Sequence, residues 1–226
     1  MNLFYLDTDL DKCAEAHMDC HVGKMQLEIT QMICTTIWVD EVLGYIPRKV
    51  TSDENAAIQA ASVAAGYTTE VRYKPAHINH PCTIWMRESF ENWEYSVLLV
   101  SALNQETMWR GNNSHKSCAL ALRLPAPKQL PSKGFVTPAL AMPDEYKSDN
   151  PVQSYRTYYK SKADIASWKR REPPEWWFKH PENYQNAKQL HDRAKTAENK
   201  QIWKKQMDGI VAMQKPLSSE LPPWRV

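Results

Sequence analysis

One stretch, Cys13 to Ile37 (CAEAHMDCHVGKMQLEITQMICTTI), constrains the fold of this chain more than any other. At about 100° per residue around a helix, His17, His21, Lys24, Glu28, Gln31 and Thr35 fall within one narrow polar stripe. Met18, Val22, Met25, Ile29 and Met32 flank it on one side, and Cys20, Leu27 and Cys34 on the other. Asp19, Gly23, Gln26 and Thr30 form a separate polar arc opposite. A surface helix has one wet face, whereas this pattern predicts two. A polar stripe between apolar flanks predicts a groove lined by two imidazoles, an ammonium and a carboxylate. The alternative is a partly wet core in which the histidines and Glu28 pair with each other.

The rest of the pattern is helical too. Asp7, Asp9 or Asp11 can cap the long helix, which should stop near Leu43–Gly44 before Pro47. Residues 3–6 suit a short strand or an extended arm. Ser52 to Ala65 reads as a short capped helix ending at Gly66, and Pro81 to about Gly111 as a second long core helix, preceded by His77 and His80. Residues 112–150, rich in proline, read as a long loop, followed by helices over Pro151 to Trp168 and Gln185 to Met213. The expected fold class is mostly α: a compact helical domain over 1–165 and a basic, aromatic helical extension over 166–226.

Charge divides the chain at a similar place. Residues 1–154 hold 13 Lys/Arg against 18 Asp/Glu, and residues 155–226 hold 15 against 8. In the basic part Tyr155, Tyr158, Tyr159, Trp168, Trp176, Trp177, Phe178, Tyr184, Trp203 and Trp224 interleave with cations. That mixture suits a surface that tracks phosphates and stacks bases, or else an extension whose rings pack inward. Five unclustered cysteines without a CxxC, no apolar run of membrane-spanning length and an acidic start (MNLFYLDTDLDKC) lead us to expect a reduced, cytoplasmic protein without a membrane partner. The sequence says nothing of oligomeric state. No glycine-rich phosphate loop occurs, which argues against a kinase or a nucleotide-driven motor.

Three chemistries fit these residues. An amine can attack a carbon electrophile to form a Schiff base, with Glu28 as the acid/base or electrostatic carboxylate. Lys24 lies one turn from Glu28, and Met1 carries an α-amine. An α-amine ordinarily titrates near ~8 and is partly nucleophilic at neutral pH, whereas a lysine needs desolvation first. Alternatively, His17 and His21 can join His77 and His80 around a divalent metal. Cys20 or Cys34 beside a histidine is a third arrangement.

Asp19-Cys-His21, with Glu28 seven residues after the histidine, resembles the start of the phage pyrimidine-dimer DNA glycosylases of the endonuclease V type. His80 followed by TIWMRESFENWEYSVLLVSAL is similar to that family's second long helix, and YRTYYKSKA (Tyr155 to Ala163) to its aromatic, basic C-terminal stretch. Openings of this kind are also familiar from other phage proteins. The resemblance implies a helical enzyme that binds double-stranded DNA, flips a base from the stack and needs no cofactor or metal. It implies base excision and abasic-site lysis, as in DNA repair, by an N-terminal amine assisted by Glu28. It also implies that His21 lies near the phosphate, while His17 is a catalytic candidate from the stripe alone. His80, Tyr155, Tyr158, Tyr159, Lys160, Lys162, Lys169, Arg170 and Arg171 would then contact DNA. The chain departs from the family in four respects, one of them a segment before Asp19 that is several residues longer. Residue 2 is Asn, before which Met is usually retained, so the amine belongs to Met1. Leu27 and Gln31 stand where the family has arginines, and the last 60 or so residues have no counterpart. A DNA base-modifying or transferase enzyme, or a DNA-binding protein without catalysis, remains open on the same residues.

Overall fold

The computed structural model describes residues 1–66, 71–178, 192 and 196–214. Those residues are mostly helical, and none of them forms a strand. The chain divides into two compact units, one of residues 1–159 and 167–173 and the other of 160–166 and 174–226.

In the first unit, α1 (Leu10–Ala16) is capped by Asp9, whose side chain accepts from the Lys12 amide, and α2 (Asp19–Leu43) follows after a break at His17–Met18. The expected single helix is thus two, because His17 and Met18 are extended. The Met18 amide, which continued helix would have bonded internally, donates instead to the Tyr159 hydroxyl at 3.0 Å. α2 ends at Gly44, whose φ of 71° gives the left-handed stop that glycine makes cheap.

α2 is the hub. It packs against α3 (Ser52–Ala64), α4 (Pro81–Met86), α5 (Phe90–Trp109) and α6 (Lys116–Arg123). A capping box of Thr51 and Glu54 starts α3, and Trp38, Val39, Val50, Ile58 and Ile78 close a core around it. The second long helix is likewise two, since the chain turns at Arg87–Ser89 and Ser89 caps α5 through the Asn92 amide. α6 lies inside the stretch read as loop. Its N-cap is His115, whose ring accepts from the Ser117 amide, a signal outside the usual Ser/Thr/Asp/Asn set.

The polar arc of α2 is not wet. Gln26 and Thr30 are buried, Gln26 donating to Thr107 Oγ1 on α5 at 2.7 Å and Thr30 to the Ser117 carbonyl of α6 at 3.3 Å. Those hydrogen bonds satisfy the Gln26 amide N–H groups and the Thr30 hydroxyl, while Gln26 Oε1 is buried without a hydrogen-bond partner. α7 (Pro151–Lys160) stops eight residues before the expected Trp168, and a short 3₁₀ turn follows at Ala163–Ile165.

The second unit contains that 3₁₀ turn, α8 (Glu175–Phe178) and α9 (Ala197–Gln214). Trp177 and Trp203 are fully buried with ring centroids 5.5 Å apart, so they pack inward instead of facing a ligand. Residues 185–191 and 193–195 of the last expected helix, with Tyr184 and Trp224, lie outside the described residues. No helix among the described residues is long and apolar enough to cross a membrane.

Candidate active site

The residues before α1 run as an extended, buried arm, which delivers the α-amine to the middle of α2. Asn2 shapes its start. Its Oδ1 accepts from the amides of Leu3 (2.7 Å) and Phe4 (3.1 Å), and its Nδ2 donates to the Ala141 carbonyl at 2.9 Å. The turn forces Phe4 to a φ of 48°, a region that costs a bulky residue of order 1–3 kcal/mol. Packing holds it there: the Phe4 ring stacks on His21 (centroids 5.0 Å, planes 15° apart) and meets Tyr159 edge-on at 4.9 Å. Farther along, Arg156 fastens the arm through the Leu6 carbonyl and Asp7, both at 2.7 Å.

At the end of the arm, the Met1 nitrogen lies 3.7 Å from Glu28 Oε2, which also accepts from the Asn2 amide at 3.0 Å. The other oxygen, Oε1, faces Lys24 Nζ at 3.7 Å. Glu28 therefore presents one oxygen to each amine, and neither pair is at hydrogen-bonding distance. The side chains differ in exposure, 3% for Met1 and 59% for Lys24, and Met1 as a whole is half-buried, so its main-chain end keeps the open area. Glu28 itself keeps 15% of its side chain open.

His80 joins this group from α4. Its Nδ1 accepts from the Cys82 amide, which leaves Nε2 to carry the proton of the neutral ring. Burial, with the positive charges of the Met1 amine and His77 adding to it, holds its pKa below the ordinary histidine value against an opposing pull from Glu28. Thr35, another residue of the α2 stripe, positions the preceding loop. Its hydroxyl accepts from the Ala76 amide at 3.0 Å and lies 3.1 Å from the Ala76 carbonyl. His77 follows at a φ of 49°, so the two non-glycine residues with positive φ among the described residues, Phe4 and His77, sit in segments that carry the site.

The other expected residues sort differently. His21 is buried, its Nδ1 2.9 Å from the Tyr159 hydroxyl, and it supports the arm from below. His17 lies off the stripe because the helix breaks there. It is fully buried, its Nδ1 is 2.7 Å from the Cys13 carbonyl, its Nε2 meets no polar partner, and burial lowers its pKa to about 4. Among the described residues no three His, Cys, Asp or Glu side chains group as a metal site, so His17, His21, His77 and His80 do not converge.

Tyr155 and Tyr159, expected to touch DNA, are fully buried instead, and burial pushes both phenols well above their ordinary values. Tyr155 donates to the Ala139 carbonyl, while Tyr159 joins Met18 to His21. Tyr158 is half-buried against Tyr146. Lys160 is buried, Lys162 half-buried, and Lys169 and Arg170 exposed. Arg171 is not free for phosphate, because it makes two hydrogen bonds to Glu106 (2.6 and 2.7 Å), an ion pair with Glu15 at 3.1 Å, and stacks over Trp109 at 4.1 Å.

No family model matches this chain, and no curated protein or solved structure does either. The case for function therefore rests on the site itself. Sequence reasoning missed the roles of Asn2 and Phe4, which place the amine, and put Thr35 on the stripe without its part in holding the histidine loop. Of the first two, only Asn2 left a trace, as an Asx residue able to bond the amides that follow it.

Proposed function

We propose that this chain is a DNA base-excision glycosylase with abasic-site lyase activity on double-stranded DNA, using the Met1 α-amine as nucleophile and Glu28 as its carboxylate partner. The observation that carries the reading is the Met1 nitrogen held 3.7 Å from Glu28 by a buried arm. In the neutral form the amine attacks C1′ of a flipped deoxynucleotide. The N-glycosidic bond breaks, its electron pair leaves with the base, and the base takes a proton. One proton leaves the attacking nitrogen for the departing base, and as the sugar ring opens O4′ takes a proton from water, leaving an iminium between the Met1 nitrogen and C1′ that keeps one N–H. Glu28 stabilises that cation, then removes a C2′ proton. The C3′–O bond breaks by β-elimination, the 3′ phosphate departs, and water returns the amine. His80, neutral and with its proton on Nε2, would offer the leaving base a hydrogen bond and not a proton. Lys24 has the same carboxylate but lacks the burial that activates a lysine.

Lys169 and Arg170 are exposed in the first unit and Lys200, Lys204 and Lys205 in the second, and each set by itself offers cations for DNA phosphates. The test is borohydride trapping on duplex DNA with an abasic site, with chelator present and the intact mass of the protein determined first. A covalent adduct mapped to the Met1 nitrogen is expected. No adduct and no nicking, with DNA still bound, would sink the mechanism and leave base modification or plain binding.

A further inference from the structure

We propose a second ligand site, for an organic phosphate of which a nucleoside monophosphate is the representative, in the cavity of about 460 Å³ between the α2–α3 connection, α4 and residues 131–139. The volume suits one small molecule instead of an extended strand. Its walls are apolar where Pro47, Ile84 and Trp85 line it. Trp85 is fixed in place, its indole N–H donating to the Val136 carbonyl at 2.9 Å and its ring edge-on to Tyr95 and Phe135.

The charges lining the cavity are Arg48, Arg87 and Lys133, opposed by Glu88 alone. Arg87 is the unusual one. It is 1% exposed and pairs with no carboxylate among the described residues. Its Nε donates to the Pro47 carbonyl at 3.1 Å, its Nη1 to the Ile78 carbonyl, and its Nη2 to the Arg48 carbonyl (3.0 Å) and Asn79 Oδ1 (3.3 Å). Those acceptors satisfy the N–H groups but are all neutral, so the charge stays uncompensated. Burial lowers its pKa to about 10, which still leaves it cationic at neutral pH. A buried cation without a counter-ion favours an anion nearby, and two exposed cations frame the same opening. Apolar walls beside a net positive rim fit a molecule with a flat body and one phosphate.

The site shares the His80–Pro81 turn with the amine site but none of its reacting groups, and it goes beyond the glycosylase reading. Arg48 and Lys133 are both exposed, so the double variant R48E/K133E should fold. Thymidine monophosphate, thymidine and inorganic phosphate are titrated into the full chain and into the variant by calorimetry and saturation-transfer NMR. Binding of the monophosphate, little binding of thymidine, and at least a tenfold loss in the variant are expected. No binding, or binding unchanged in the variant, would overturn the site. Phosphate binding as tightly as the nucleotide would overturn the organic ligand. Displacement of the nucleotide by duplex DNA would identify a strand as its source, and failure of DNA to displace it would identify a soluble nucleotide. Borohydride trapping on both proteins is read separately, so the two proposals fail independently.

Discussion

Two charge clusters sit on α2 and are built in opposite ways. At its first residue, Asp19 meets Arg110 at 2.8 Å, and Arg110 meets Glu106 at 2.7 Å. Glu106 meets Arg171 at 2.6 Å, and Arg171 reaches Glu15 at 3.1 Å. Arg110 also donates to the carbonyls of Glu15 and His17, while Asp19 accepts from Ser167 and the Lys169 amide. Burial raises the pKa of Glu106, but hydrogen bonds from Arg171 and Arg110 outweigh it and leave the carboxyl below its ordinary value. Nine residues along, Glu28 has one backbone hydrogen bond and two amines at 3.7 Å. A cluster whose charged groups are all bonded to each other fixes structure, and one that leaves two amines beyond hydrogen-bonding distance of the carboxylate they share can react.

The comparison breaks most clearly at Glu28. Glu28→Gln keeps an oxygen for the Asn2 amide but loses the charge. Lyase turnover on abasic duplex DNA should fall by about 10²–10⁴-fold, the usual worth of a positioned acid/base group, while stability moves by less than ~1 kcal/mol. Single-turnover strand cleavage and urea unfolding of the same variant read both numbers. Unchanged turnover would remove Glu28 from the chemistry.

Glu106→Gln should do the reverse. It leaves Arg110 and Arg171 short of a buried carboxylate, and breaking such a pair ordinarily costs about 3–5 kcal/mol. Denaturant unfolding should show that loss, with adduct formation unchanged per folded molecule. A stable Glu106→Gln protein would mean the network does not carry the α1–α2 corner.

His17 gives a smaller effect beside the same network. Its pKa falls from 6.5 to about 4 on burial, so the folded state keeps it neutral while the unfolded state takes up a proton as pH drops. Its contribution is complete above about pH 6.5 and is lost down to about pH 4, a total of about 3 kcal/mol at ~1.36 kcal/mol per unit. His17→Asn keeps a donor for the Cys13 carbonyl but cannot titrate, so its stability should vary less between those pH values. Equal slopes in the two proteins would assign the acid loss elsewhere.

What the sequence revealed follows the range of the interactions involved. The period of about 3.6 residues exposed α2, the core face of Val22, Met25, Ile29 and Met32, and the i, i+4 spacing of Lys24 and Glu28, because all three are set by neighbours along one helix. The breaks at His17–Met18 and Arg87–Ser89 carry no glycine or proline. The first is fixed by a tyrosine hydroxyl 141 residues away and the second by the bonds that Arg87 makes to distant carbonyls. The aromatic residues of the basic half misled for a related reason: composition counts rings but not their direction, and Tyr155, Tyr159, Trp177 and Trp203 turn inward. Asn2 and Phe4 act through one strained turn, which no periodicity reports.

The least disruptive change separates the two amines. Lys24 precedes Glu28 by one turn, in the less favourable order for a helix pair, and 59% of its side chain is exposed. Lys24→Ala should therefore shift stability by no more than ~0.5 kcal/mol. Because Glu28 keeps the Met1 nitrogen and the Asn2 amide, borohydride trapping should persist within a few-fold, with the adduct still on residue 1. If Lys24 were the nucleophile, the same variant would form no adduct at all. The experiment thus tests whether a buried arm or an exposed helix position supplies the amine, with little change to the rest of the molecule.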